Sequence, residues 1–312
     1  MKRCLFCYKP LNADQIDFHP SCSKKIFGQS TPPALPYNEN DMEKLAEQVI
    51  RQHIAVTGVQ PKLSLDIDKV KNGPSRFTIV GLLGSYILKP PSNSYPQLPE
   101  VEDLTMHLAS LAKIKVVPHT LIKLKSGSLS YLTKRIDRTK KEKIHMEDMC
   151  QLTGRLTEQK YQGSYEQIAK AIRDYSANPG LDVVNFYEVL LFSFLTGNAD
   201  MHLKNFSLIK DPVIGYHLSP AYDLVATALV NPADKEDLAL TLNGKKKKIS
   251  RKDFITAFSG AGIDSKQGEN IFKKMNNGTM EWLKFIEYSF VNKTMKKKFK
   301  ELIIERLKRI EK

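Results

Sequence analysis

The chain has 312 residues, of which 41% are hydrophobic and 26% are charged, a composition typical of a globular protein with room for two packed lobes. No run of about 18 apolar residues is present, which excludes a transmembrane helix, and no apolar segment predicts a signal peptide, so a cytoplasmic location is expected. The net charge of +14 suits contact with nucleic acid, but no zinc-finger array, RNA-binding signature or recognition helix accompanies it. Solvated faces of late helices are the other explanation of the lysine runs.

Three of the four cysteines lie near one histidine, with the spacing Cys4-x2-Cys7-x11-His19-x2-Cys22. Two close pairs of soft ligands separated by a short loop are typical of tetrahedral zinc. Residues 1–28 are therefore predicted to form a Cys/His knuckle, and its candidate ligands are Cys4, Cys7, His19 and Cys22. The alternative is three incidental thiols beside an ordinary turn.

The first half of the chain reads as a sheet. Asn40 and Asp41 are predicted to cap a helix that runs to about Arg51. Short β-like segments follow at residues 62–67, 76–81 and 85–90, then a helix from Leu98 to Ala112, then two more strands at 116–124 and 128–136. This order predicts a sheet with a helix inserted after its third strand.

Helices dominate from residue 147 onward. Residues 183–195 are apolar nearly all round, which predicts a buried central helix. Short strands at 206–209 and 213–218 flank a turn at 210–212, and helices are predicted from there to the end, interrupted at 276–278 (Asn-Asn-Gly). The fold class is α+β and two-lobed, with a β-rich N-terminal lobe at residues 41–138 and, apart from the hairpin, an all-helical C-terminal lobe at 139–312.

The segment after the buried helix, TGNADMHLKNFSLI at residues 196–209, holds Asp200 and, five positions later, Asn205. The predicted hairpin would return a second carboxylate, Asp223, to their side. A carboxylate that can orient or deprotonate a hydroxyl, with an amide oxygen and a further carboxylate for Mg²⁺, suits phosphoryl transfer. A polar turn, with Asp223 as a helix N-cap, is the alternative.

The first half supplies the remaining parts of such a site. Lys89 ends a strand, where its ammonium can pair nucleotide phosphates, and Glu102 on the next helix is a candidate to hold it. The loop at residues 57–62 (TGVQPK) can cover phosphates through its backbone N–H groups, although it has one glycine and is no GxGxxG motif. Its candidate phosphate contacts are Val59, Gln60 and Lys62. Each part alone has an ordinary surface explanation, but their order is that of two-lobed kinases.

From about residue 41 to the C-terminus the chain resembles the HipA family of bacterial toxin kinases. The matching stretches are TGVQPKLSL, YILKP, LPEVEDLTMHLA, YLTKRIDR, HMEDMCQLTG, KYQG, GNADMHLKNFSLI, LSPAYDL and LALTLNGKKKKISRKDF. The resemblance implies a serine/threonine protein kinase with a protein-kinase-like fold that uses ATP and Mg²⁺. Asp200 would be the catalytic aspartate, Asn205 and Asp223 the magnesium ligands, and Lys89 a phosphate contact. Further nucleotide contacts are predicted in the hinge and catalytic loop, at Lys134, Arg135, Ile136, His202, Lys204 and Tyr222.

The resemblance also implies an off-switch and partners. Members autophosphorylate a hydroxyl residue of the phosphate loop, and the corresponding residue here is Thr57, where the best-known members have serine. The short segment before this loop is similar to that of the HipT kinases, which act with a small HipS protein and a helix-turn-helix antitoxin, HipB. The expected partners are therefore HipB-like and HipS-like proteins and a protein substrate, an aminoacyl-tRNA synthetase. DNA contact is expected only through the antitoxin, and no membrane contact is expected.

Two other functions remain as alternatives. One is a small-molecule kinase of the same fold, because fold alone does not fix the acceptor. The other is a non-catalytic co-repressor in an antitoxin–DNA complex. The presence of Lys89, Asp200, Asn205 and Asp223 argues against a kinase that has lost its activity.

Overall fold

The structure is a computed structural model that describes residues 2–42, 44, 62–68, 74–80, 84–139 and 142–311. The loop residues Thr57, Val59 and Gln60 lie outside the described residues. The chain divides into two compact units. Unit 1 comprises residues 1–103, 117–140 and 288–290, and unit 2 comprises residues 104–116, 141–287 and 291–312.

Unit 1 is built on a five-stranded antiparallel sheet with the order β2-β1-β3-β5-β4. Its strands are β1 (Leu63–Asp68), β2 (Arg76–Ile79), β3 (Tyr86–Lys89), β4 (His119–Lys123) and β5 (Leu129–Lys134). Helix α1 (Pro20–Phe27) precedes the sheet, and helix α2 (Leu98–Leu111) follows β3. Each strand overlaps a predicted segment, so the predicted sheet with a helix after its third strand is confirmed.

The core of unit 1 joins residues 2–28, called here the N-terminal module, to this sheet. The cluster contains Leu5, Phe18, Ile26 and Phe27 from the module together with Leu65, Phe77, Leu88, Leu121 and Leu132 from the strands. The Phe27 and Phe77 rings meet edge to face at 5.8 Å, and the Tyr86 hydroxyl donates to the Ile26 carbonyl at 3.0 Å. The module is therefore an integral part of the hydrophobic core.

The helix predicted to start at Asn40 begins two residues earlier. The Asn38 side chain accepts a hydrogen bond from the Asp41 N–H at 3.0 Å, and the Asp41 carboxylate accepts one from the Asn38 N–H at 2.9 Å. This reciprocal pair is a capping box, which makes Asn38 the cap. Residues 39–42 and 44 are helical, and the rest of the predicted helix, to Arg51, lies outside the described residues.

Unit 2 is mostly helical. Its helices are α3 (Met149–Leu152), α4 (Tyr165–Tyr175), α5 (Pro179–Thr196), α6 (Thr227–Val230), α7 (Arg251–Gly260), α8 (Ser265–Tyr288) and α9 (Lys293–Glu311). The predicted buried helix is confirmed as α5, whose residues from Val189 to Thr196 are all buried, and the Phe192 ring meets Trp282 of α8 at 5.4 Å. Among the described residues, none of the helices combines the length and apolarity needed to cross a membrane.

A three-stranded antiparallel sheet corrects the expectation of an all-helical C-terminal lobe. Its order is β6-β7-β8, with β6 (Met146–Asp148), β7 (Ser207–Asp211) and β8 (Gly215–Leu218). The predicted hairpin is confirmed as β7–β8, in which Leu208 lies opposite Leu218. Its turn lies at residues 212–214, two residues later than predicted, because the Asp211 carboxylate accepts from the N–H groups of Val213 and Ile214, at 2.8 and 3.1 Å.

Two predictions about the C-terminal helices are wrong. Residues 231–250 are irregular, and their Asp237 carboxylate pairs with Arg306 of α9 at 3.2 Å and accepts from Arg309 at 3.1 Å. The sequence Asn-Asn-Gly at 276–278 does not interrupt α8. A Cβ atom at Gly278 would lie 3.2 Å from the Trp282 Nε1, so glycine makes room for the buried indole one turn later.

Candidate active site

The loop that carries Asp200 leaves the C-terminal end of α5 at Gly197. Gly197 has a φ of 72°, in the left-handed region, and a Cβ atom there would lie 2.6 Å from Leu302 Cδ2. The backbone conformation favours glycine at this position, and a Cβ atom there would have to displace the end of the Leu302 side chain. The Thr227 hydroxyl then accepts from the Ala199 N–H at 2.8 Å, so the direction in which the loop leaves the helix is fixed.

The loop holds Asp200 and Asn205 together. The Asn198 side-chain oxygen accepts from the Asp200 N–H at 3.1 Å, and a 3₁₀ turn spans Leu203–Asn205. The Asn205 Nδ2 donates to the Asp200 carbonyl at 2.9 Å. Because the amide nitrogen is turned toward this carbonyl, the amide oxygen of Asn205 faces away from it and is the atom that can bind a cation.

The segment after β8 returns to the same loop. The Tyr222 hydroxyl donates to the Lys204 carbonyl at 3.0 Å and also shares a hydrogen bond with the Ser207 hydroxyl. Tyr222 precedes Asp223, and Lys204 precedes Asn205, so these two hydrogen bonds fix the two predicted metal-binding segments to each other. Asn205 and Asp223 therefore flank the two ends of one hairpin, and their neighbours in the chain are hydrogen-bonded to each other.

Asp223 has an uncommon backbone conformation. Its φ is 56°, a left-handed value that costs a non-glycine residue about 1–2 kcal/mol. The next helix, α6, starts at Thr227 with Ala226 as its cap, so the alternative of Asp223 as a helix N-cap is wrong. The segment is held on both sides of Asp223, because the Ala221 N–H donates to the Lys115 carbonyl at 2.8 Å and the Ala226 N–H to the Thr105 hydroxyl at 3.2 Å.

Tyr161 is a site residue that the sequence did not reveal. Its hydroxyl donates to Asp200 Oδ1 at 2.6 Å, and its ring meets the His202 ring edge on at 5.0 Å. Burial and the negative charge of Asp200 raise the pKa of Tyr161 well above its usual range, so the phenol is protonated at neutral pH and acts as the donor. Tyr161 lies in the KYQG stretch, but only its long-range contact with Asp200 shows a role.

Lys204 and His202 occupy the same loop in different surroundings. The Lys204 ammonium donates to Asp148 Oδ2 at 2.6 Å, and Asp148 caps α3 through a capping box with Gln151. The Asp-x2-Gln spacing was the signal that could have identified this cap from the sequence. Burial lowers the pKa of His202, although the charges of Asp200 and Asp223 act in the opposite direction. The nucleotide contacts predicted for Lys204, His202 and Tyr222 stay predictions.

In unit 1, Lys89 at the end of β3 forms an ion pair with Glu102 of α2. Both residues are buried, with relative exposures of 3% and 0%, and the Lys89 ammonium lies 5.4 Å from the centre of the Tyr131 ring. A buried charge pair is maintained only where both charges are compensated. The pair therefore fixes the direction of the Lys89 side chain, and its role as a phosphate contact stays a prediction.

The predicted hinge follows β5. The Lys134 and Arg135 N–H groups donate to the carbonyls of Pro118 and Ser85, at 2.8 and 2.9 Å. The Arg135 guanidinium holds Asp137 with two hydrogen bonds of 2.9 and 2.7 Å. Burial acts to raise the pKa of Asp137, but the hydrogen bonds and charge of Arg135 outweigh it and lower the pKa. Two further predicted contacts in unit 1 are Lys62, exposed just before β1, and Ile136, which is half-buried.

Comparison with known proteins agrees with this architecture. The structure of HipA from Shewanella oneidensis, solved in complex with HipB and operator DNA, matches with a TM-score of 0.69 and 22% sequence identity, covering 85% of this chain and 70% of that chain. This likeness shows the fold, which is the kinase-like α+β fold of HipA. A family model described as HipA-like C-terminal domain matches residues 54–283, which is more than half of the chain. The chain belongs to the HipA-like family.

Two curated relatives are similar in sequence. A putative kinase of Sinorhizobium fredii is 33% identical over 229 residues, which cover 70% of this chain and 54% of the relative. The serine/threonine-protein kinase toxin HipA of Shewanella oneidensis is 28% identical over 215 residues, which cover 62% of this chain and 47% of the relative. The matches thus span about half the length of these relatives.

Proposed function

We propose that the chain is an ATP-dependent serine/threonine protein kinase. The observation that carries the proposal is the loop after α5, in which the Asn205 amide donates a hydrogen bond to the Asp200 carbonyl. The hydroxyl of Tyr222, the residue before Asp223, donates to the Lys204 carbonyl of the same loop. Kinase-type phosphoryl transfer uses a carboxylate to position the acceptor hydroxyl, here Asp200, and oxygen ligands for Mg²⁺, here Asn205 and Asp223. Its catalysis is mainly positioning and neutralisation of charge. Membership in the HipA-like family and the kinase names of relatives support the same activity.

In this mechanism the Asp200 carboxylate binds the hydroxyl of the acceptor. The acceptor hydroxyl replaces the Tyr161 hydroxyl at Asp200 Oδ1, where the carboxylate orients it and takes its proton. The acceptor oxygen then forms a bond to the γ-phosphorus as the bond between that phosphorus and the ADP oxygen breaks. Lys89, held by Glu102, contributes a fixed positive charge for the nucleotide phosphates.

The donor set fits magnesium. The amide oxygen of Asn205 is turned away from the Asp200 carbonyl, and Asp223 supplies a carboxylate, which are the oxygen ligands that Mg²⁺ takes alongside phosphate and water. When bound, Mg²⁺ supplies neutralisation of phosphate charge.

Transfer of radiolabelled γ-phosphate from ATP tests the proposal. Wild type is expected to label itself or a protein in a bacterial lysate, and Asp200→Asn is expected to lose the label. Asp174→Asn is the matched control, because Asp174 is exposed on α4. Equal labelling by wild type and Asp200→Asn would refute the kinase, and transfer to small metabolites alone would mean a small-molecule kinase.

The biological role that we propose is that of the toxin in a HipBST-type or HipBA-type toxin–antitoxin system. It is supported by relatedness to the HipA toxin, whose solved complex contains HipB and operator DNA. The partners would be a HipB-like antitoxin and a HipS-like protein, the substrate would be an aminoacyl-tRNA synthetase, and DNA contact would occur through the antitoxin. Induced expression is expected to arrest growth with wild type but not with Asp200→Asn, and co-expression of the antitoxin is expected to restore it. Growth arrest by Asp200→Asn would contradict a catalytic toxin.

Autophosphorylation of Thr57 is proposed as the off-switch. A phosphate there would add about −1.5 to −2 charges to the phosphate loop and repel those of ATP. Intact-mass analysis is expected to find one phosphate fewer on Thr57→Ala than on wild type. An unchanged phosphate count would reject the switch and leave the kinase proposal intact.

A further inference from the structure

The four candidate ligands of the N-terminal module converge on one point. The ligand atoms of Cys4, Cys7, His19 and Cys22 all lie within 4.8 Å of one another. The His19 Nδ1 lies 3.5 Å from the Cys7 sulfur and 3.7 Å from the Cys22 sulfur. In a zinc tetrahedron with bonds of about 2.3 Å to sulfur and 2.0 Å to nitrogen, the sulfur–nitrogen edge is about 3.5 Å. The two sulfur–nitrogen distances match this edge, and the remaining ligand atoms are close enough to complete a Cys₃His site.

The hydrogen bond of the other imidazole nitrogen is an independent observation. The His19 Nε2 lies 3.0 Å from the Pro10 carbonyl oxygen, and a carbonyl can only accept. Nε2 therefore carries the hydrogen, which leaves the lone pair of Nδ1 facing the two sulfur atoms. A second hydrogen bond that fixes the tautomer of a metal-binding histidine is the usual arrangement in zinc proteins. Incidental thiols give no reason for this orientation.

The surroundings favour a structural metal. Cys4 and Cys22 are buried, and all three cysteines of the module are free thiols. With four protein ligands the tetrahedron is complete, so no coordination position remains for a substrate or an attacking water. The adjacent apolar residues Leu5 and Phe18 belong to the core cluster of unit 1. A metal at this point would link the Cys4–Cys7 pair to the His19–Cys22 pair, and the loop between them contributes residues to that core.

The module also reaches the helix that bears Glu102. Tyr8, directly after Cys7, is buried with a φ of 62°, and its hydroxyl donates to Asp103 Oδ2 at 2.7 Å. The other Asp103 oxygen lies 2.7 Å from the His119 Nδ1. Asp103 is the residue after Glu102, the partner of Lys89. A turn that is fixed at Cys4 and Cys7 therefore contacts α2 beside the lysine–glutamate pair.

We propose that Cys4, Cys7, His19 and Cys22 bind one Zn²⁺, and that the zinc-held turn positions, through Tyr8 and Asp103, the first part of α2. The site is structural and does not depend on the kinase proposal. Its loss would loosen α2 at Glu102 without removing any residue of the catalytic loop.

Metal content of the full chain, purified without chelator, tests the site. Wild type is expected to hold about one zinc per chain, a closed four-ligand count. His19→Ala is expected to lose it, whereas His19→Cys is expected to keep it, because four thiolates also bind zinc tetrahedrally. Cys150→Ser, which changes a buried cysteine of unit 2, is the control and is expected to retain the metal.

Cobalt provides a readout that does not rely on co-purified metal. Reconstitution of wild type with Co²⁺ is expected to give the visible absorption of a tetrahedral thiolate site, which His19→Ala lacks. Folding of each variant is checked by circular dichroism. Wild type that binds neither metal after reconstitution, or His19→Ala that keeps the zinc content and cobalt spectrum of wild type, would overturn the site.

Hydrogen exchange tests the connection to α2. Removal of zinc is expected to speed exchange at least tenfold in residues 98–103 and to leave α8 unchanged, and re-addition of zinc is expected to reverse the effect. Tyr8→Phe is expected to keep the zinc but to speed exchange in residues 98–103. Unchanged exchange there, in both zinc-free wild type and Tyr8→Phe, would reject the positioning role.

Discussion

Replacement of Glu102 by glutamine removes one charge from the buried pair in unit 1 and keeps nearly the same shape. Lys89 and Glu102 have side-chain exposures of 4% and 0%, so water does not replace the lost carboxylate. Removal of one partner of a buried pair typically costs 3–5 kcal/mol. The glutamine amide oxygen still accepts a hydrogen bond, and the Tyr131 ring lies 5.4 Å from the ammonium, so we expect a loss of about 3 kcal/mol in the free energy of unfolding of unit 1.

A double-mutant cycle separates the pair from its surroundings. Lys89→Met removes the other charge, and the double variant removes both. The loss of unfolding free energy in the double variant is expected to be smaller than the sum of the two single losses by about 2 kcal/mol or more. Urea unfolding followed by circular dichroism measures the four proteins, and hydrogen exchange in β3 and β5 assigns the change to unit 1. Glu281→Gln, at an exposed position of α8, is the control. A coupling energy below about 0.5 kcal/mol, or a Glu102→Gln loss no larger than that of the control, would refute the reasoning.

Three further predictions concern unit 2. Tyr161→Phe removes the hydroxyl that competes with the acceptor for Asp200. Because Tyr161 is 44% exposed, we expect the KM for the acceptor to fall only about five- to tenfold, at unchanged kcat. An equal fall in kcat and kcat/KM would instead mean that Tyr161 orients Asp200. Gly197→Ala combines left-handed strain with the approach to Leu302 and is expected to lower the free energy of unfolding by about 2–3 kcal/mol, whereas Gly180→Ala, with no atom within 4 Å, is expected to be neutral; equal effects in thermal unfolding would contradict this. Burial opposes ionisation of Asp253, but hydrogen bonds from Lys245 and other groups nearby lower the pKa of Asp253 from 3.8 to about 2. The ionised carboxylate therefore contributes about 2 kcal/mol to the free energy of unfolding above about pH 4, and this contribution is lost as the pH falls toward 2. Urea unfolding of Asp253→Asn between pH 7 and 2 checks this, and a difference from wild type that does not shrink in acid would refute it.

The sequence predicted the elements whose signals are local. The apolar run of α5 and the paired segments of β7 and β8 have strong patterns, and both were found where expected. Strand β6 has only three residues, all half-buried, too few for an alternating pattern to stand out. The Asn-Asn-Gly sequence at 276–278 predicts a break because glycine disfavours a helix interior, whereas the packing of Gly278 against Trp282 exists only in the folded helix.

The residues of the candidate site also differ in whether a local sequence signal predicts them. Asp200, Asn205 and Asp223 were selected because residue type and order together indicate phosphoryl transfer, and their catalytic roles stay predictions. Tyr161 was missed because its contact spans 39 positions and has no counterpart in local spacing. The partner of Lys204 was missed for the same reason, since Asp148 lies 56 positions away.

Unit 1 is completed by residues from far along the chain. The Tyr8 ring meets Phe290 edge on at 4.8 Å, and the Arg3 guanidinium lies 4.9 Å from the centre of the Tyr288 ring. Tyr8 and Phe290 are 282 positions apart. At a synthesis rate of roughly 5–20 residues per second, the ribosome needs about 15–60 s to make that stretch. The nascent N-terminal module must therefore wait until this stretch has been made before these two contacts exist, and a chain released before residue 290 would lack the ring that packs on Tyr8.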